Sequence, residues 1–173
     1  MFNYNNVVLP NGIKLITIKK DTGIAAVHMA VKIGSIYEEK SEKGISHFIE
    51  HMLFKGTETR DNEKLNNELE NLGGEYNAYT DHNCTVYSAT ALCSEIEGMI
   101  SILSDMLQHS TFPEKEIIKE KEVILSEIRS SRDDLEQFSF KKINEAANDK
   151  SPLKYETTGS EDTVKNFKRQ ELA

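Results

Sequence analysis

The interpretation of this chain depends on five consecutive residues, His47-Phe48-Ile49-Glu50-His51. Residues four apart on an α-helix lie on the same face, so His47 and His51 can bind one metal ion together. Glu50 is next to His51, where its carboxylate can reach a water on that metal without being a ligand. The order is the reverse of the His-Glu-x-x-His pattern of metalloproteases. Two helix histidines can also be ordinary packed or solvated residues, so a metal site needs further support.

A third ligand is the first requirement, because catalytic zinc takes three protein ligands and keeps a fourth position open. The best candidate lies between Glu114 and Arg129, where apolar residues recur at helical spacing. Glu120 and Glu127 run along the edge of that apolar stripe. A carboxylate there is costly unless a cation or hydrogen bonds compensate it. Glu127 is therefore a candidate ligand, with an ordinary carboxylate as the alternative.

The start and the polar face of this helix are also predicted. Pro113 suits the first turn of a helix, and Thr111 is an acceptable cap. Glu114, Glu116 and Glu122 fall off the apolar stripe, and we expect them to be solvated charges.

Two runs carry a specific resemblance: Gly34-Ser35-Ile36-Tyr37-Glu38, and Gly44-Ile45-Ser46-His47-Phe48-Ile49-Glu50-His51-Met52-Leu53-Phe54-Lys55-Gly56-Thr57. They resemble the zinc-site segment of the pitrilysin/insulinase family, and within it the branch of mitochondrial processing peptidase and its bacterial relatives. The family has its third ligand, a glutamate, at the spacing that separates Glu127 from His51 here, which is 76 residues. The resemblance therefore implies zinc held by His47, His51 and Glu127. It also implies that Glu120, at the position of a supporting family glutamate, orients a histidine ligand.

A second motif concerns the substrate. The segment Glu75-Tyr76-Asn77-Ala78-Tyr79-Thr80 follows a Gly-Gly turn and matches the family's Asn-Ala-x-Thr pattern. In the family this is an edge strand that pairs with an extended peptide. The resemblance thus implies that Asn77, Ala78 and Tyr79 bind substrate, and ordinary strand residues are the alternative.

The implied activity is that of a zinc-dependent endopeptidase. Zinc would polarise its bound water and bring the pKa of that water to about 7. Glu50 would be the general base that accepts the proton and passes it to the leaving amine. The alternatives are a non-catalytic partner subunit and a structural zinc module of a peptidase complex, in which a fourth protein ligand would close the coordination.

Composition restricts the partners. The chain has 173 residues, a net charge of −8 and two cysteines. The negative charge argues against nucleic acid or an anionic membrane as a partner. The segment beginning at Met1 has no basic region followed by a long apolar run, and no other segment has the length of a membrane span. We therefore expect a cytoplasmic protein with reduced Cys84 and Cys93.

The order of elements predicts an α+β fold, a two-layer sandwich in which a mainly antiparallel sheet packs against helices. A hairpin is expected around Pro10-Asn11-Gly12. A largely buried strand is expected over residues 25–33. Further strands are predicted over 75–80 and 85–92, and helices over about 43–54, 61–72, 94–107, 114–131, 135–147 and 161–167.

Length adds an expectation about the whole protein. Family members are much longer and pair this kind of domain with a related second half across an enclosed chamber. Residues 1–173 are therefore expected to be one N-terminal zinc-binding peptidase domain, truncated at its C-terminus and lacking the second half. The expected partners are a peptide substrate and the missing half or a partner subunit. We expect the chain alone to bind zinc but cleave peptides poorly or not at all, and an unpaired sheet edge to favour self-association.

Overall fold

The computed structural model describes residues 4–173, which form five strands, seven α-helices and four short 3₁₀ helices. The strands are β1 (Tyr4–Val8), β2 (Lys14–Ile18), β3 (Ile24–Val31), β4 (Glu75–Thr80) and β5 (Thr85–Leu92). The α-helices are α1 (Ile45–Leu53), α2 (Asn62–Asn71), α3 (Ile96–His109), α4 (Glu114–Asp133), α5 (Leu135–Ala147), α6 (Glu161–Asn166) and α7 (Arg169–Leu172). The 3₁₀ helices are Ser35–Tyr37, Lys40–Glu42, Cys93–Glu95 and Pro152–Lys154.

The main sheet has the order β3-β5-β4, and both pairings are antiparallel. Strand β5 lies in the centre and is the most buried of the three. Strands β3 and β4 form the edges of the sheet within the described part of the chain. The edge at β4 lies beside helix α1. The sheet therefore has the unpaired edge of β4 next to the helix that carries the two histidines.

Strands β1 and β2 form a separate antiparallel hairpin. Its turn is closed by a hydrogen bond from the Leu9 amide to the Ile13 carbonyl. Gly12 has a φ of 88°, a conformation that glycine adopts without steric cost. The hairpin predicted around Pro10-Asn11-Gly12 is confirmed.

One hydrophobic core joins the sheet to the helices. Helix α1 contributes Phe48 and Met52, helix α3 contributes Met99 and Leu103, and the sheet contributes Tyr87. All five are nearly inaccessible to solvent. The predicted α+β sandwich, with an antiparallel sheet packed against helices, is confirmed. None of the helices in residues 4–173 is long and apolar enough to cross a membrane.

Three local predictions are wrong. Strand β3 is not largely buried but alternates between exposed and half-buried residues, because helices cover one of its faces. Glu116 is buried rather than solvated, since its carboxylate contacts Lys119 at 3.0 Å and Asn62 at 3.4 Å. Thr111 does not cap α4: its hydroxyl donates to the Gly56 carbonyl, and Pro113 is the N-cap residue.

The carboxylate of Asp105 on α3 binds the loop that follows α1. Asp105 accepts hydrogen bonds from Thr57 (2.6 Å), Thr59 (3.2 Å), Arg60 (2.6 Å) and His109 (3.0 Å). Burial alone would raise the pKa of Asp105, but these hydrogen bonds outweigh it and lower the pKa to about 2. The ionised carboxylate therefore stabilises the folded chain.

We expect Asp105→Asn to lower the free energy of unfolding at neutral pH by about 2 kcal/mol, because Arg60 and Thr57 lose a charged acceptor. The folded pKa is depressed, so this contribution is present above the unfolded pKa of 3.8 and is lost as the pH falls toward about 2. The difference between wild type and variant in urea unfolding should shrink over that range.

Glu68→Gln is the matched control, because Glu68 is the other and more exposed partner of Arg60. Glu68→Gln should lower the free energy of unfolding by less than about 1 kcal/mol at any pH. Equal losses in both variants, or a difference for Asp105→Asn that does not change with pH, would contradict this account.

Candidate metal centre

Helix α1 begins at a position that only glycine fits. Gly44 has a φ of 96°, and an added Cβ would lie 2.6 Å from the Thr158 carbonyl oxygen. The buried carboxylate of Glu38 accepts hydrogen bonds from the amides of Gly44 (3.0 Å) and Ser46 (2.9 Å). A carboxylate at a helix N-terminus satisfies free amides and complements the helix dipole. These contacts fix the start of the helix one turn before the histidines.

The structure brings together the three residues predicted to bind the metal. The Nε2 atoms of His47 and His51 lie 3.8 Å and 3.7 Å from Oε2 of Glu127. The two imidazole rings are 4.6 Å apart, centre to centre. Among the described residues, these form the one group of three His, Cys or acidic side chains whose ligand atoms all lie within 4.8 Å of one another.

This donor set fits zinc. Two imidazoles and one carboxylate are a known ligand set of catalytic zinc sites. Ligand atoms on a tetrahedral zinc would be about 3.4 Å apart, a few tenths of an ångström less than the distances to Glu127. The buried Nδ1 of His47 has no hydrogen-bond partner among residues 4–173.

The two histidines have opposite pKa shifts. Burial, and then the neighbouring His51, lowers the pKa of His47 to about 4, so this ring is neutral near pH 7. Burial also disfavours a charge on His51, but the hydrogen bond to Glu120 and the charge of Glu127 outweigh it and raise the pKa of His51. A metal ion binds neutral imidazole, so it would displace a proton held at His51.

Glu120 lies behind His51, on the side away from Glu127. Its Oε2 is 3.0 Å from Nδ1 of His51, and its Oε1 is 2.8 Å from Nζ of Lys55. Burial opposes the ionised form, but the hydrogen bonds from His51 and Lys55 prevail and lower the pKa of Glu120. A proton on Nδ1 leaves Nε2 free to bind a metal. Lys55, which lies four residues after His51 in the turn that follows α1, was not identified from the sequence.

Glu50 lies beside the sheet rather than within the group of three. The hydroxyl of Thr80 donates to its Oε2 at 2.6 Å. Burial raises the pKa of Glu50, and the hydrogen bond from Thr80 and the charge of His51 only partly oppose that rise. A carboxylate with a raised pKa is better suited to accept and release protons near neutral pH. Thr80 is the last residue of the Asn-Ala-x-Thr pattern, so the motif contained a signal for this contact.

The residues predicted to bind substrate lie on the free edge strand β4. Asn77 and Tyr79 are exposed on one face, while Ala78 is half-buried on the face that carries Thr80. The Ala78 amide donates to Oδ1 of its neighbour Asn77 at 2.9 Å. Their role in binding a peptide stays a prediction.

Comparison with known proteins assigns the chain to a family. Residues 14–161 match the family model of insulinase, peptidase family M16. The chain belongs to this family. An uncharacterised zinc protease of Rickettsia felis is 37% identical over 169 residues, which cover 97% of this chain and 41% of that protein. The beta subunit of mitochondrial-processing peptidase from Rattus norvegicus is 34% identical over 164 residues, covering 95% and 34%. The chain thus spans less than half the length of these two M16 relatives.

Solved structures show the same fold. A protease from Helicobacter pylori superposes with a TM-score of 0.93 at 22% identity, over 99% of this chain and 42% of that chain. The periplasmic protease PqqL of Escherichia coli gives 0.91 at 26% identity, over 98% and 20%. An M16 domain of Pseudomonas fluorescens described as inactive gives 0.88 at 14% identity, over 98% and 42%. The shared fold therefore does not distinguish a catalytic domain from a non-catalytic one.

We expect Glu127→Gln to weaken zinc binding by more than about 100-fold, because an amide is a far poorer zinc ligand than a carboxylate. Glu50→Gln should keep wild-type affinity, because Glu50 lies outside the group of three. Competition with a chromogenic chelator measures both dissociation constants.

Glu122→Gln controls for the loss of one charge, since Glu122 is exposed on the same helix as Glu127. Unchanged affinity in Glu127→Gln would remove that residue from the ligand set. Loss of zinc in Glu50→Gln would contradict a role outside the ligand set.

Proposed function

We propose that this chain carries the catalytic zinc site of a zinc-dependent endopeptidase. The observation that carries the proposal is the approach of Glu127 on α4 to within 3.8 Å of both histidines on α1. Membership of a peptidase family supports it, as does a relative described as a zinc protease. In this proposal His47, His51 and Glu127 are the ligands, and Glu120 orients His51.

The protein residues provide acid–base chemistry around the site. Zinc, when bound, supplies Lewis-acid activation of water and of the scissile carbonyl. Glu50 accepts the proton of the attacking water and returns it to the leaving amine. Thr80 donates to Oε2 of Glu50, so the lone pairs of Oε1 remain available to take that proton. The short hydrogen bond also keeps the carboxylate in one orientation during both transfers.

Strand β4 provides a place for the peptide. An extended substrate can add to a free strand edge through main-chain hydrogen bonds, which give affinity with little demand on sequence. In this proposal Asn77, Ala78 and Tyr79 contact that substrate. Thr80 ends the strand and contacts Glu50, so a peptide on this edge would pass beside the general base.

The relatives of this chain are more than twice as long as the part that it matches. The chain spans 41% of its Rickettsia felis relative and 34% of the rat beta subunit. We therefore propose that a second half or a partner subunit completes the binding chamber, and that the chain alone turns over slowly. The free edges at β3 and β4 are the surfaces through which copies would associate. The cytoplasmic location and the lack of nucleic-acid or membrane partners stay predictions.

A non-catalytic partner role is the second candidate. It is favoured by the inactive M16 domain that shares this fold. Against it, the chain keeps His47, His51 and Glu127 in one group, and Glu50 lies near enough for its charge to interact with those of His51 and Glu127. A structural zinc module would need a fourth protein ligand, and no other His, Cys or acidic residue joins the group of three within residues 4–173.

We expect Glu50→Gln to lower kcat/KM by at least about 100-fold, because an amide cannot accept the proton of the attacking water. The measurement is cleavage of an unstructured fluorogenic peptide over hours by the zinc-loaded chain, with zinc content checked before and after. Glu122→Gln should cleave at the wild-type rate.

Two results would speak against the proposal. Cleavage by zinc-loaded Glu50→Gln at the wild-type rate would remove the general-base role. Absence of any zinc-dependent cleavage by the wild-type chain supplemented with its second half or partner subunit would favour the non-catalytic role.

A further inference from the structure

We propose that Lys55 is a positioning residue of the metal centre, which acts through Glu120 to hold the His51 ring with Nε2 directed at the metal. The inference rests on the proposed zinc site and adds to it a residue that touches neither metal nor substrate.

The contacts form a continuous chain from Lys55 to the histidine. Nζ of Lys55 lies 2.8 Å from Oε1 of Glu120, and Nδ1 of His51 lies 3.0 Å from Oε2 of the same carboxylate. Each carboxylate oxygen thus has its own partner. A carboxylate held at both oxygens cannot rotate about its terminal bond without breaking one of the two contacts. The orientation of the His51 ring therefore depends on Lys55.

Burial makes this pair different from an ordinary surface ion pair. The side chain of Glu120 is only 8% exposed and that of Lys55 24%. By contrast, Lys64 and Glu68 are 57% and 34% exposed and lie 3.9 Å apart. Exposed pairs contribute little because water and salt screen them, whereas loss of one partner of a buried pair is costly. Without Lys55, Oε1 of Glu120 would lose its charged partner, and only the contact with His51 would hold the carboxylate.

The backbone around Lys55 is itself held in place. The Lys55 amide donates to the Met52 carbonyl at 3.0 Å and closes the turn that follows α1. The next residue, Gly56, has a φ of 127°, and its carbonyl accepts from the Thr111 amide at 3.2 Å. Lys55 itself lies two residues beyond the end of α1, in the turn that follows the helix. The lysine therefore reaches Glu120 from a fixed position.

Lys55→Met should weaken zinc binding about 10-fold, at the lower end of the effect of residues that support metal ligands. Lys55→Arg should remain within about threefold of wild type, because a guanidinium keeps the charge and can donate to the carboxylate. The probe is zinc alone, in competition with a chromogenic chelator. Lys64→Met, which removes an exposed lysine, should have no effect.

A double-mutant cycle separates positioning from general damage to the fold. If Lys55 acts through Glu120, then Lys55→Met should have no further effect in a Glu120→Gln background. The melting temperature of each zinc-free variant, and the visible spectrum of each Co²⁺-loaded variant, provide two further readouts. A positioning role predicts a changed Co²⁺ spectrum for Lys55→Met and a wild-type spectrum for Lys55→Arg.

Failure of the Lys55 inference can be distinguished from failure of the proposed function. If the wild-type chain binds zinc tightly and Lys55→Met binds it equally well, Lys55 has no positioning role. Additive losses in the double variant, or equal losses in Lys55→Met and Lys64→Met, would overturn the proposal too. A wild-type chain that does not bind zinc at all would instead overturn the zinc site on which the inference rests.

Discussion

The packing of helix α1 against helix α4 is the constraint on which the site depends. Phe48 and Met52 of α1 share one buried core with Ile117, Ile124 and Ile128 of α4. With the apolar faces packed in this way, the adjoining polar edges of the two helices must meet. Two imidazoles from one helix then face carboxylates from the other. The grouping of His47, His51 and Glu127 is thus a consequence of core packing rather than of a flexible loop.

Contacts at both ends of α1 preserve this alignment. Glu38 and Gly44 fix the first turn, and Asp105 holds the loop that follows the last turn through Thr57 and Arg60. These contacts use buried charges that are satisfied by hydrogen bonds, which is the condition under which such groups are tolerated inside a protein. A helix held at both ends can keep His47 and His51 in one geometry. Less conformational entropy would then be lost when a metal binds.

Much of this arrangement could be predicted from local sequence pattern. Strands β4 and β5 and helix α5 lie at the predicted bounds, because alternation and helical periodicity end there in recognisable turns and caps. The burial of β3 was mispredicted, since a run of alanine and valine does not show whether one face or both are covered. The burial of Glu116 was mispredicted because its hydrogen-bond partner Asn62 lies 54 residues away in the sequence. Lys55 and Thr80 escaped notice for the same reason: their partners lie 65 and 30 residues away.

The most direct test of the account is X-ray absorption at the zinc edge of the zinc-loaded chain. The account predicts two imidazole nitrogens and one carboxylate oxygen at about 2.0–2.2 Å, with no sulfur in the inner shell. Replacing Glu127 with Gln should alter the oxygen contribution and leave both imidazoles. A spectrum that shows a sulfur at about 2.3 Å, or a single imidazole, would contradict a zinc site shared by α1 and α4.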